Sequence, residues 1–157
     1  MPTPFRPGPG NSYLSAHIAL VRRNLRERTG RDLLDRAVTD EEAAATIFHA
    51  PFVLLSHNAE PDPTFTYANL SALDLFELSW EELIVMPSRL TAEAPNREER
   101  ARLLAKVEAE GYIDDYSGVR VSRSGRRFRI LRAIVWNLID EMDRYQGQAA
   151  MFHSWQF

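Results

Sequence analysis

From Tyr116 to Phe157 the hydrophobic pattern runs at a period of two, and its middle stretch is apolar in both phases. Ile130, Ile134, Trp136 and Leu138 alternate with Leu131, Ala133, Val135 and Ile139. Successive side chains of a strand point to opposite faces. A sheet covered by helices on one side should be polar on the other, so a strand from Arg127 to about Ile139 needs a second cover. The candidates are the N-terminal helix of the same chain, the same face of a second subunit, or both.

This strand has neighbours of its own kind. Val119 and Val121 alternate with Arg120 and Ser122 before a Ser124-Gly125 turn, and Gln148 to Phe157 alternates again after a turn around Glu141 to Tyr145. The end of the chain therefore reads as a three-stranded meander. Upstream, Phe52 to Ser56 is a short apolar run between Pro51 and HNAEPDP, a buried strand, and Phe65 to Ala68 is a second. Helices lie between these strands and the meander. Asn69 caps a short one, Ser79 with Glu82 forms a capping box for the next, and Asn96 with Glu99 opens the longest, which Gly111 stops.

Before the first strand, Leu14, Ile18, Val21 and Leu25 fall at spacings of four, three and four, one stripe of a helix ending at Gly30. Thr39 with Glu42 opens a second helix that Pro51 must end. Four prolines and two glycines in the first ten residues describe a tail. The sum is an α+β domain: a five-stranded antiparallel sheet with helices on one face, preceded by N-terminal helices. The expected division is a disordered Pro/Gly tail over 1–11, N-terminal helices over 12–50 and the sheet domain over 51–157.

Composition narrows the function classes. With 157 residues, 45% hydrophobic and 26% charged, the chain is one globular domain. A net charge of −3 gives no global basic field, so nucleic acid is not an expected partner. There is no cysteine, which excludes disulfides, Cys-ligated metal and thiolate nucleophiles. No apolar run approaches a membrane span or signal peptide, and a cytoplasmic location is expected.

The succession of two strands, helices and a meander resembles the PAS fold, as does Tyr67 to Leu83, with an Asn after the second strand and two short helices. The words SHN, DPTFTYAN, PSRLTAE, YSGVRVS, GRRFRI, VWNLID and GQAAMF resemble the MEKHLA family, a PAS-related domain, from about Ser12 to Phe157. This resemblance implies a sensory or regulatory module that binds a small ligand or a protein partner. In plants the domain ends class III homeodomain-leucine zipper transcription factors. Without a homeodomain or zipper in these residues, a stand-alone module acting on a separate output protein is expected. PAS domains commonly dimerise through the sheet, which points to a homodimer with Leu131, Ala133, Val135 and Ile139 as its face. A small enzyme using the same cavity and a ligand-free interaction domain are the alternatives.

The ligand is unknown from the sequence. Photosensors of the PAS group attach flavin or chromophore through a cysteine, which this chain lacks; noncovalent flavin or haem, the latter needing His17, His49, His57 or His153, finds no second mark. Candidate ligand-binding residues are His57, Tyr67, Asn69, Trp80, Arg89, Tyr116 and Trp136. No metal set and no catalytic motif is present; Tyr116 near Asp114 and Asp115 is the one acid–base candidate. His57, with Asp62 five residues on, also reads as an anchor for the loop after its strand. Six arginines, Arg120, Arg123, Arg126, Arg127, Arg129 and Arg132, fall within 13 residues around one hairpin. They can pair with acids of neighbouring helices, guard an edge strand or grip an anion.

Overall fold

The computed structural model describes residues 5–35 and 38–157. The outermost part of the expected tail, 1–4, lies outside the described residues. The strands are β1 (Val53–His57), β2 (Phe65–Ala68), β3 (Tyr112–Val121), β4 (Arg127–Ile139), β5 (Tyr145–Phe152) and β6 (Ser154–Gln156). They form one antiparallel sheet in the order β2-β1-β5-β4-β3, with β6 also on β4. The helices are α1 (Ser15–Thr29), α2 (Asp40–Phe48), α3 (Leu70–Phe76), α4 (Trp80–Leu83) and α5 (Ala94–Glu110). The expected succession of strands, helices and meander is present, with six strands in place of five. The last run breaks at His153, so that β5 pairs with the second half of β4 and β6 with the first.

That break has a counterpart across the ladder. Gly118 of β3 faces Ile130 and Tyr116 faces Ala133, so two steps on β3 match three on β4. The extra residue is Arg132, at φ 52, a bulge that reverses the side-chain phase of the strand. Ile130, Ala133 and Val135 consequently line one side, together with Phe128, whose ring meets Phe76 of α3 at 5.1 Å. On the other side Trp136 Nε1 donates to Val21 O of α1 at 3.1 Å. The expected common face of Leu131, Ala133, Val135 and Ile139 is therefore not formed. Ala133 and Val135 are buried beneath the later helices, while Leu131 and Ile139 are half-buried.

The second cover is the chain's own α1. Its stripe of Ile18, Val21 and Leu25 is fully buried, and polar contacts hold it in register. The Asn24 amide donates to Ile139 O at 3.0 Å and accepts from Ile139 N at 3.1 Å. Arg23 Nη2 donates to the same carbonyl at 2.7 Å. At the other end of the sheet, His17 Nε2 lies 2.8 Å from Ser56 Oγ, which meets Thr66 Oγ1 at 2.8 Å. Part of the expected tail packs too: Pro7 is buried, and a 3₁₀ turn over Pro9–Leu14 brings Tyr13 to 5.8 Å from the Phe48 ring.

The α2 end, β1 and α3 meet at Asn69, which is fully buried. As expected it caps α3, its Oδ1 accepting from Ala72 N at 3.2 Å. The same oxygen accepts from Leu54 N at 3.1 Å, and Nδ2 donates to Ile47 O at 3.0 Å and Phe52 O at 2.8 Å. The Ser79/Glu82 capping box and the Gly111 stop form as read. Helix α5, however, starts at Ala94 with Glu93 as its cap, ahead of Asn96, because Pro95 suits a first turn where no N–H is needed.

Two predictions follow from these joints. Asn69→Ala strands backbone donors and acceptors in a dry site, and should cost about 3–5 kcal/mol in urea unfolding; a loss near that of a surface cap would reduce Asn69 to helix capping. For His17, burial of the ring beside Ser56 and Tyr67 pushes the imidazole down from 6.5 to about 4. The unfolded chain then binds more protons between those values, so stability is full above pH 6.5 and falls as pH drops toward 4. His17 is only partly buried by surface area, so the loss is on the order of 1–2 kcal/mol rather than the roughly 3 kcal/mol of the whole shift. His57 shifts the same way, so His17→Gln should reduce the slope of melting temperature against pH without abolishing it.

Candidate functional site

On the inner side of the sheet, under α5, lies a cavity with about 60 Å³ of free space. A single water needs roughly 10–15 Å³ by this measure, so the cavity has room for a small molecule. Its walls come from both layers: Leu55, Ile130, Val135 and Phe152 from the sheet, Leu103 and Leu104 from α5.

Its polar groups come from β1, α5 and β5, with His57, Arg100 and Gln148, and from β3, with Tyr116 and Arg120. The alternation along β3 is opposite to the expected one. Gly118, Arg120 and Ser122 are buried, and Val119 and Val121 are half-buried on the other side. Tyr116, Gly118 and Arg120 share a phase, and the Tyr116 side chain folds back over Gly118. A Cβ at 118 would collide with the Tyr116 hydroxyl and crowd Arg120 Nη1 at 3.1 Å. Gly147 serves a similar end on β5: its backbone, at φ 129, passes so close to the His57 carbonyl that a side chain would collide with it. That approach sets Gln148 opposite His57.

Two guanidinium groups dominate the electrostatics. Arg100 is 8% exposed and Arg120 is 6% exposed. Arg100 Nη2 donates to Ser88 Oγ at 2.9 Å. Arg120 donates to Val119 O at 2.9 Å and to Tyr116 Oη at 3.1 Å, and Tyr116 Oη in turn donates to Glu99 Oε2 at 3.2 Å. Among the described residues no carboxylate forms an ion pair with either arginine. Burial, with the neighbouring Arg120 charge, pulls the Arg100 guanidinium down to about 10, so it remains protonated at neutral pH. Burial also lowers His57, helped by the Arg100 charge, against a hydrogen bond to Asn58 O at 2.9 Å that raises it. His57 Nδ1 donates that bond, leaving Nε2 as an acceptor. Neither His57 Nε2 nor Gln148 Oε1 has a hydrogen-bond partner, although both are buried. Gln148 pulls the histidine slightly upward without bonding its free nitrogen. Gln148 Nε2 is spent on Leu104 O at 2.9 Å and Asn137 Oδ1 at 3.2 Å.

Beside the cavity an open groove of about 680 Å³ runs between residues 58–63 and α5. His57, Arg100, Leu104 and Gln148 line both spaces. These four residues stand between the groove and the cavity. Arg89 stands on its wall and grips Asp62 through Nε at 3.1 Å and Nη2 at 3.4 Å.

Of the residues expected to bind a ligand, His57 and Tyr116 line the cavity. Arg89 lies in the groove, and Asn69 holds secondary-structure elements together. Tyr67 packs between His17, at 5.7 Å, and Trp80, at 6.1 Å, and Trp136 lies under α1. Arg100 and Gln148 were not among the candidates, and Arg120 was read only as one of the six arginines able to grip an anion; its period-two spacing with Tyr116 and Gly118 was the signal that sets it apart. The arginine cluster divides. Arg123, Arg126 and Arg127 pair with Glu82, Glu77 and Glu93. Arg120 turns inward, and Arg129 and Arg132 are exposed. Of the four histidines only His57 lines the cavity. A flavin or haem does not fit a cavity of about 60 Å³, since pockets for drug-sized ligands run to roughly 300–1,000 Å³. Among the described residues no group of three or more acidic or histidine side chains is placed to hold a metal, and no helix is long and apolar enough to cross a membrane.

Comparison with known proteins gives this architecture its relatives. Homeobox-leucine zipper protein HOX32 of Oryza sativa subsp. japonica is 26% identical over 151 residues, covering 95% of this chain and 18% of that protein. Homeobox-leucine zipper protein ATHB-14 of Arabidopsis thaliana is 26% identical over 166 residues, covering 97% of this chain and 19% of that one. The chain thus spans less than a fifth of the length of these curated relatives. Among solved structures, the PAS domain of a protein from Colwellia psychrerythraea superimposes with a TM-score of 0.62 at 13% identity, over 71% of this chain and 92% of that one. An RNA-binding light-oxygen-voltage receptor gives 0.62 at 13% identity, over 76% and 34%. Likeness at that identity is one of fold, and the fold is PAS-like. The sequence match that accompanies it runs over residues 15–157, nearly the whole of what has been described, and by it the chain belongs to the MEKHLA domain family.

Proposed function

We propose that this domain is a regulatory module that senses a small molecule in the cavity under α5 and reports it through the sheet to α1. The observation that carries this reading is the pair of buried acceptors without partners, His57 Nε2 and Gln148 Oε1, on the border of the cavity. Buried polar groups are ordinarily satisfied, and an orphan costs about 1–3 kcal/mol. A bound molecule supplies the missing partners.

Strand β4 supplies the route of response. Val135 faces the cavity, and the next residue, Trp136, donates to the α1 backbone at Val21. A ligand that wedges β4 away from α5 alters the seat of α1 on the opposite face of the same strand, and binding shifts the population between docked and loosened forms of that helix. In this reading α1 is the element that a partner meets. A sheet-to-sheet homodimer is not part of it, because α1 occupies the outer face. The relatives named as homeobox-leucine zipper proteins suggest transcriptional regulators as the setting, with output passing to other domains or to a separate protein.

Native and denaturing mass spectra of the freshly purified protein test this directly. Extra mass lost on denaturation is the expected result. Failing that, a metabolite screen should yield a compound that raises stability by about 2.7 kcal/mol at one hundred times its dissociation constant. Val135→Phe fills the cavity and should abolish either signal, at a folding cost of about 1–3 kcal/mol. No bound mass and no responding compound would leave a ligand-free interaction domain as the better account.

A further inference from the structure

The chemistry of the cavity border goes further than the presence of a ligand. We infer that the ligand is a small hydroxycarboxylate: its carboxylate lies against Arg100 and Arg120, its hydroxyl donates to His57 Nε2 or Gln148 Oε1, and its short apolar body packs against Leu55, Val135 and Phe152. This rests on the ligand-sensing reading above and specifies the chemical class.

The charge count favours a monoanion. Two buried guanidinium groups face the site, and the carboxylate that comes nearest, Glu99, reaches Arg120 only through the Tyr116 hydroxyl and is itself half-buried toward solvent. His57 adds no charge, since burial holds it neutral. Two positive charges against one leave one to be met. Burying a charge without a partner is strongly unfavourable, and a carboxylate is the acceptor that a guanidinium fork fits best. Among the described residues Arg100 spends one hydrogen bond, on Ser88, of the five donors its group carries.

The donor on the ligand follows from the opposite kind of deficit. His57 Nε2 and Gln148 Oε1 are acceptors that a carboxylate alone would leave unmet. His57, Gln148, Arg100 and Arg120 all line this one small cavity, so one short molecule must carry both the anionic and the donor group, as a 2-hydroxy acid does. Size sets the rest. About 60 Å³ of free space with aliphatic walls admits a branched chain of a few carbons and no ring system with a phosphate tail. Of the four acids along the adjoining groove, Asp62 is held by Arg89 and Glu98 by Arg102, while Glu60 and Glu108 are exposed to solvent and form no ion pair with either arginine among the described residues.

Calorimetric titration of the full chain with 2-hydroxyisovalerate, isovalerate and 2-hydroxyisovaleramide tests the class. The expected order is hydroxy acid first, plain acid second and hydroxyamide last. Arg100→Met should weaken the hydroxy acid by roughly thirtyfold or more, the loss of one buried charge partner, while weakening the amide by less. Circular dichroism checks that this variant folds, and the comparison of the three probes on the unaltered protein stands whether or not it does. A hydroxyamide that binds as well as the hydroxy acid overturns the anionic assignment and leaves ligand sensing intact. Isovalerate binding as tightly as its hydroxylated form overturns the role given to His57 and Gln148. If no carboxylate binds while the metabolite screen yields a neutral ligand, this inference alone fails; if nothing binds in either experiment, both readings fall together.

Discussion

A strand that is apolar on both faces cannot stop at one helical layer, and the organisation of this domain follows from how β4 obtains its two covers. The outer cover is close-fitting: Trp136 is fully buried and its one polar atom is matched to the α1 backbone. The inner cover is not. Helix α5 shows little of an apolar stripe, with Arg100 and Val107 as its buried residues, so it spans the sheet without filling the space beneath. The imperfect fit on one side is what distinguishes a domain with a cavity from a three-layer sandwich with a solid core.

Charge accumulates at the same imperfection. Arginine is the residue best suited to partial burial because its guanidinium is weakly hydrated and its stem is apolar. Here that suitability is used twice within one site, and Gly118 is the place where the backbone gives up side-chain volume beside Arg120. The space it leaves holds the Tyr116 hydroxyl, which links the inward-facing Arg120 to Glu99 at the edge of α5.

Much of the fold was legible in the sequence because local signals decide it. The caps at Thr39, Asn69 and Ser79, the Gly111 stop and the bounds of β2 and β4 formed as read. What could not be read was long-range. A bulge leaves no mark in a hydrophobic pattern when both phases are already apolar, so the inversion at Arg132 moved Ala133 and Val135 from an expected outer surface to the cavity wall. In β3 the pattern misleads for another reason: Val119 and Val121 look like the buried phase until the sheet pairs Gly118 with Ile130 and turns Arg120 inward. Arg100 sits in a helix whose charges otherwise face water, and only the depth of its neighbours Ser88 and Thr91 draws it inside.

The joints that hold α1 connect residues about 115 positions apart in the chain. During synthesis α1 therefore leaves the ribosome long before the strand that receives it exists, and must wait as an amphipathic helix with Ile18, Val21 and Leu25 uncovered. Contacts of such separation close late and slowly. The same geometry lets α1 depart without breaking any strand pairing of the sheet, which β1 to β6 complete among themselves.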